Sequence, residues 1–158
     1  MTAKFEPPVR DLVRNNTCAK INAKIDRQAE RNIAAFSSIG REDIEERLEE
    51  LAHEWDIERV LQIHATVISL TGCGLAAMGK RGFLAVPAAV SAFLMHHAIK
   101  GWCPPLAIFR RLGVRTKGEI DAEIYALKTL HGDFDAICDA SDSEELTDKV
   151  IHAVSKAS

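Results

Sequence analysis

Cys103 stands directly before Pro104-Pro105, a pair suited to the first turn of a helix. A thiol at a helix N-terminus feels the positive end of the helix dipole, which favours the thiolate. Lys100, three residues earlier, adds to that field. Cys103 is therefore a candidate reactive thiol, with packing of a helix-to-turn corner as its alternative. The other cysteines are Cys18, Cys73 and Cys138, and no pair has C-x-x-C or zinc-ribbon spacing.

The histidines offer a second constellation. His64 and His97 lie equally far from the midpoint between Lys80 and Arg81. An antiparallel hairpin turning there would hold them at one depth, with His96 on the adjacent face. Two imidazoles at one level suit a metal ion, a haem iron or a shared proton. A metal usually wants further ligands, however, and no Asp or Glu occurs between Arg59 and Lys100. The alternative is that the two rings, or a water, satisfy each other at a helix end. A third set is basic: residues 100–118 contain Lys100, Arg110, Arg111, Arg115 and Lys117. These are candidate contacts for anionic lipid headgroups. Glu45, Glu46, Glu49 and Glu50 read as a solvated face. No nucleophile elbow, phosphate loop or dinucleotide fingerprint is present, so no catalytic residue and no cofactor are expected.

The elements that position these residues follow from the distribution of charge. The chain has 158 residues, 20 Lys+Arg and 23 Asp+Glu, for a net charge of −3. Residues 1–55 carry 9 basic and 11 acidic groups, residues 56–99 carry 3 and 2, and residues 100–158 carry 8 and 10. The mean hydropathy of −0.06 thus averages an almost uncharged centre with two polar arms. Val60–Gly79 and Gly82–Ile99 are uncharged runs of 20 and 18 residues. As helices they would be roughly 30 and 27 Å long, close to the thickness of a bilayer's hydrocarbon core. The negative net charge and an aromatic content of 6% argue against a nucleic-acid binder. Met1–Arg14 is polar and has no apolar stretch of the kind a secretory signal needs.

The spacing predicts an all-α chain with a central antiparallel helical hairpin flanked by amphipathic helices. The organisation expected is a polar helical arm over 1–55, the apolar hairpin with its Trp-Cys-Pro-Pro exit turn over 56–113, and amphipathic helices over 114–158. Residues 1–15 read as a poorly structured arm. Thr17 is a plausible N-cap for a helix with apolar residues from Cys18 to Phe36 at three- and four-residue intervals. Ser37–Gly40 breaks it, and Ile44, Leu48, Leu51 and Trp55 mark the next helix. Asp56 is placed to cap a helix over Ile57–Gly79. Gly79–Gly82 is short enough for a tight reversal into a helix over Gly82–Lys100. Leu106–Leu112 forms a short helix closed by Gly113. Thr116 with Glu119, and Ser141 with Glu144, have capping-box spacing.

Whether the hairpin lies in a bilayer or in a protein core decides the function class. Trp55 and Trp102 flank its open end, as an interfacial belt requires, and small residues such as Gly72, Gly74, Ala88 and Ala89 suit close-packed membrane helices. The reversal carries only Lys80 and Arg81 against the five basic residues after the second run. A positive-inside bias then puts both termini in the cytoplasm. Gln62, His64, Thr66 and Ser69 in the first run and His96-His97 in the second favour instead a soluble helical bundle, an obligate homo-oligomer in the cytoplasm.

The segment from Trp55 to Gly113 resembles the YgaP-like transmembrane-domain family. The resemblance rests on the short hairpin, the exit Gly101-Trp102-Cys103-Pro104-Pro105-Leu106 and the basic Phe109-Arg110-Arg111-Leu112-Gly113. The run Glu119–Lys128, ending in Gly132-Asp133-Phe134, looks like a longer subgroup. The resemblance implies a small two-helix protein of the bacterial inner membrane, sometimes attached to a sulfur-transfer domain. A chain of 158 residues has no room for that domain, so sulfur transfer is not carried over. The function expected is a non-enzymatic, hairpin-anchored interaction or structural protein. Its expected partners are membrane lipid and either a second copy or an unidentified membrane protein. The minor alternative is a redox, sulfur-handling or metal-binding protein using Cys103 and His64/His97.

Overall fold

Local sequence rules set where each helix starts and stops in the structure, a computed structural model that describes residues 11–38, 40–134 and 149–150. The helices are α1 (Leu12–Asn15), α2 (Ala19–Phe36), α3 (Arg41–His53), α4 (Ile57–Ala77), α5 (Ala85–Lys100), α6 (Pro104–Leu112) and α7 (Lys117–His131), with a 3-10 turn at Arg81–Leu84 between α4 and α5. No strand occurs among the described residues, so the chain is all-α. Asp56 caps α4, its carboxylate accepting from the Arg59 amide at 2.8 Å. Pro104 and Pro105 open α6, where an amide hydrogen has no partner to lose. Thr116 and Glu119 form the expected reciprocal box. The Thr116 amide donates to Glu119 Oε2 at 2.9 Å, and the Glu119 amide to Thr116 Oγ1 at 3.2 Å. Ser141 and Glu144 lie outside the described residues.

Three local expectations are corrected. Asp11 caps a short helix, α1, inside the segment read as a poorly structured arm. Thr17 does not cap α2; its hydroxyl donates back to the Val13 carbonyl at 2.7 Å, and α2 begins at Ala19. The reversal after α4 is longer than a four-residue turn, because the 3-10 turn Arg81–Leu84 precedes α5. Pro87 then falls in the first turn of α5, where proline is tolerated without a kink.

The described residues divide into two compact units, one made of residues 11–27 with Trp55–Ile120, the other of residues 28–54 with 121–134 and 149–150. In the first, Val13, Ile57, Leu61, Cys103 and Leu106 form a core, with Phe109 and Val114 packed against it. It joins α1, the start of α4, and α6. Backbone bonds fix the same region: the Ile57 amide donates to the Arg115 carbonyl at 2.8 Å, and the Asn16 side chain to the Lys100 carbonyl at 2.7 Å. Gly101 ends α5 with φ +71°, and a Cβ there would lie 2.5 Å from Leu12 Cβ. Glycine is thus needed twice over, for the left-handed turn and for the close approach of α1.

α4 and α5 run antiparallel. Gly72 lets them touch: a Cβ at that position would meet Val86 Cβ at 2.9 Å and Pro87 Cδ at 3.1 Å. In the second unit, Ala29, Ile44, Leu51 and Leu127 are buried. The fully buried Glu123 accepts there from Arg47 at 3.0 Å and Asn32 at 3.1 Å.

Candidate functional site

The hairpin is the feature that sets this chain apart, because its apolar helices are mostly bare. The stretches Arg41–Ala77 and Arg81–Lys100 each contain a run long and apolar enough to cross a membrane, and only 17% and 6% of those runs is buried. In α4 the buried residues are Ile57, Leu61, Ala65 and Gly72; in α5 the one buried residue is His97. Ile63, Val67 and Leu70 on α4, and Phe93, Met95 and Ile99 on α5, are exposed. A core helix of a water-soluble monomer would bury such residues, since each full burial of a large aliphatic side chain is worth about 1.5–3 kcal/mol.

At the open end of the hairpin the three histidines have three different partners. His97 Nε2 lies 3.0 and 3.1 Å from the two carboxylate oxygens of Glu58. His64 packs edge-on against the Phe109 ring, centroids 5.4 Å apart. His96 Nδ1 contacts the Trp102 carbonyl at 2.9 Å and its ring meets the Trp102 indole edge-on. The expected level pairing of His64 with His97 is therefore corrected. The contacts Glu58–His97 and Gly72–Val86 centre the reversal near Met78, not between Lys80 and Arg81. The 3-10 turn adds its residues to one side of the bend, and the register slides by about one helical turn. No group of three or more metal-ligating side chains occurs among the described residues.

Cys103 is the residue before α6, as expected, but it is 3% exposed. Burial pushes its thiol pKa up. The hydrogen bond with the Leu106 amide opposes that shift, and the charge of Glu58 adds to it. The helix-end argument for a thiolate is outweighed, and the packed-corner alternative describes the site. Cys18 and Cys73 are exposed.

The basic block splits in two. Arg110 is 1% exposed and donates to both Glu119 oxygens, at 2.6 and 2.7 Å. It also donates to Thr17, Asn22 and the Val114 carbonyl. Arg14 joins the cluster through Glu119 at 2.8 Å and Asp26 at 2.7 Å. Arg110 is thus a clasp that ties α2 and the start of α7 to α6. Arg115 is buried too. Neither fits the lipid-contact role read from the sequence; Lys100, Arg111 and Lys117 remain on the surface. The sequence reading missed the clasp because Asn22 lies 88 residues from Arg110, and Arg14 105 residues from the Glu119 it bonds. The one local signal was the i, i+9 spacing of Arg110 and Glu119 across Gly113.

Glu119 holds this clasp at a cost in solvation. Burial disfavours its charge, but hydrogen bonds from Arg110, the Thr116 amide and Arg14 outweigh that and hold its carboxyl below the ordinary value of 4.5. A lowered carboxyl pKa contributes stability that is complete above the unfolded value and is lost as pH falls through the folded one. Acid unfolding of the wild type should therefore steepen below pH 4.5, and Glu119→Gln should be weaker at neutral pH but flatter in acid. Equal acid slopes for the two proteins would remove this role.

No family model, curated protein or solved structure matches the chain.

Proposed function

We propose that this chain is a hairpin-anchored membrane protein with a non-enzymatic interaction or structural role. α4 and α5 cross the bilayer, and the helices before and after them emerge together on the cytoplasmic side. The observation that carries this reading is the exposure of two apolar helices of spanning length. Trp55 and Trp102, 49% and 41% exposed, sit at the open end where an interfacial belt would hold them. Trp55 also lies under the Arg59 guanidinium, 4.6 Å from ring centre, a contact suited to the polar boundary. Lys100, Arg111 and Lys117 lie at that end against Lys80 and Arg81 at the reversal, the bias a cytoplasmic open end requires. The resemblance of Trp55–Gly113 to the YgaP-like transmembrane-domain family, and with it a bacterial inner membrane, agrees with this reading.

The exposed thiols test it. Two single-cysteine variants, one keeping Cys18 and one keeping Cys73, are treated with a charged, membrane-impermeant maleimide in inverted vesicles. Cys18 should be labelled and Cys73, about one helical turn before the tip end of α4 and so on the far side of the bilayer from the open end, should not. Equal labelling of both would contradict an inserted hairpin. Protection of Cys73 in a detergent-free soluble fraction would instead support the cytoplasmic homo-oligomer.

A further inference from the structure

Past Arg59, α4 carries no charged residue, and Gln62, Thr66, Ser69 and Cys73 fall on one side of it. Their spacing is four, three and four residues, and at 100° per residue they share an arc of about 60°. Leu61, Ala65 and Gly72 mark the buried side, where Gly72 meets Val86 of α5. The polar line lies about 100° round from that side, so α5 does not cover it. The other polar residues are engaged elsewhere: His64 packs on Phe109 of α6, nearly opposite the line, and Thr71 donates to the Val67 carbonyl at 2.8 Å. On the line, Gln62, Thr66 and Cys73 are exposed. Thr66 donates to the Gln62 carbonyl at 2.7 Å, whereas the side chains of Gln62 and Ser69 bond no described residue. Gln62 lies about 7.5 Å past the start of α4. With the hairpin inserted, its amide faces hydrocarbon, where no water satisfies it.

We propose that this line is a dimer seam, on which α4 of a second copy of the chain packs in parallel. The proposal rests on the membrane reading, which turns the line towards lipid. Two copies inserted the same way are related by a twofold axis along the bilayer normal, so each residue of the seam meets its own counterpart. The side chains suit that match. An amide both donates and accepts, so two Gln62 side chains satisfy each other, and two Ser69 hydroxyls do the same. None of the four side chains carries a formal charge, so identical seams do not repel. Ser69, Cys73 and the following Ala76 are small and let the backbones come close. Steps of four and three in alternation, extended by Ala76, are the heptad period of a left-handed helix pair. A lipid chain offers none of these hydrogen bonds. A partner of other sequence would need a matching line of its own; a second copy has it by construction.

The experiment uses the full chain in carbonate-washed cell membranes and reads disulfide-linked dimer after oxidation with copper phenanthroline. Cys18, Cys73 and Cys138 are first replaced by serine; Cys103, which is buried, stays, and this chain is the blank. Single cysteines are then placed on the line, as Thr66→Cys, Ser69→Cys and the native Cys73. Three more are placed beside it at exposed positions, as Ile63→Cys, Val67→Cys and Leu70→Cys. The positions on the line should give dimer and those beside it little. Gln62→Leu, read by energy transfer between labelled copies in liposomes, should weaken association roughly threefold to fifteenfold, the worth of a hydrogen bond between membrane helices. Unchanged association would overturn the self-pairing on which the seam is argued. Equal yields on and beside the line, or no dimer at any position in washed membranes, would overturn the seam and leave the hairpin reading standing. Linkage of the line to a chain of other mass would overturn it as well, in favour of a different membrane partner. Chain recovered in the wash supernatant is oxidised there. Dimer along the line in that fraction would support the seam and contradict the membrane reading; its absence would overturn both.

Discussion

Glu119→Ala should destabilise the protein by about 3–5 kcal/mol, the cost of leaving one member of a buried ion pair without its partner. Arg110 is 1% exposed, and its remaining partners, Thr17, Asn22 and the Val114 carbonyl, are neutral. The substitution strands a guanidinium away from water, releases Arg14 from one of its two carboxylates, and removes half of the box that starts α7. For a chain of this size the loss corresponds to a fall in Tm of roughly 10 °C or more. Arg110→Met should cost less, because Glu119 keeps Arg14 at 2.8 Å. The double variant Arg110→Met/Glu119→Leu should recover part of the loss, since it buries no unpaired charge. Additive single losses in thermal unfolding would show that the two side chains are not coupled. By contrast, Lys100→Ala and Arg111→Ala, on exposed side chains, should stay within about 0.5 kcal/mol of wild type.

Val67→Arg should separate a bilayer from water more sharply than any change at the clasp. Val67 lies at the midpoint of α4 and is 58% exposed. On a water-facing helix the exchange is close to neutral, within about 0.5 kcal/mol. At the centre of a membrane-crossing helix an arginine costs about 2.5–3.5 kcal/mol on insertion scales, roughly 60- to 300-fold in the insertion equilibrium. Met78→Arg is the control. Met78 is 80% exposed at the end of α4, where an arginine side chain reaches the interface. The measurement is the fraction of each variant recovered with membranes. The expected order is wild type and Met78→Arg together, with Val67→Arg far below. Indistinguishable recovery of all three would place Val67 outside hydrocarbon.

The helices were legible in the sequence because their limits are local. Asp56 at the start of α4, the prolines of α6, Gly101 and Gly113 at the left-handed ends, and the Thr116–Glu119 box each act within one turn of their own position. The uncharged runs were legible for the same reason, since composition needs no partner. The hairpin register was not. It depends on how many residues the bend consumes, and Arg81–Leu84 folds as a 3-10 turn. That change moves His97 from His64 to Glu58, an acid just outside the uncharged run. The clasp was hidden in another way. Arg110 sits in a purely basic stretch and reads as a surface cation; its acid lies beyond the Gly113 turn, and its other contacts come from α2 and the segment before it. Basic residues close together in sequence thus met opposite fates, Arg110 buried and Arg111 exposed, because successive positions on a helix point about 100° apart.

Detergent dependence tests the central claim most directly. Cell membranes carrying the full chain are washed in alkaline carbonate, which strips peripheral proteins, and then extracted with mild detergent. The chain should stay with the washed membranes and leave them only with detergent, because the spanning-length runs of α4 and α5 are largely unburied and predominantly apolar. Recovery of the folded chain in the detergent-free supernatant would contradict an inserted hairpin.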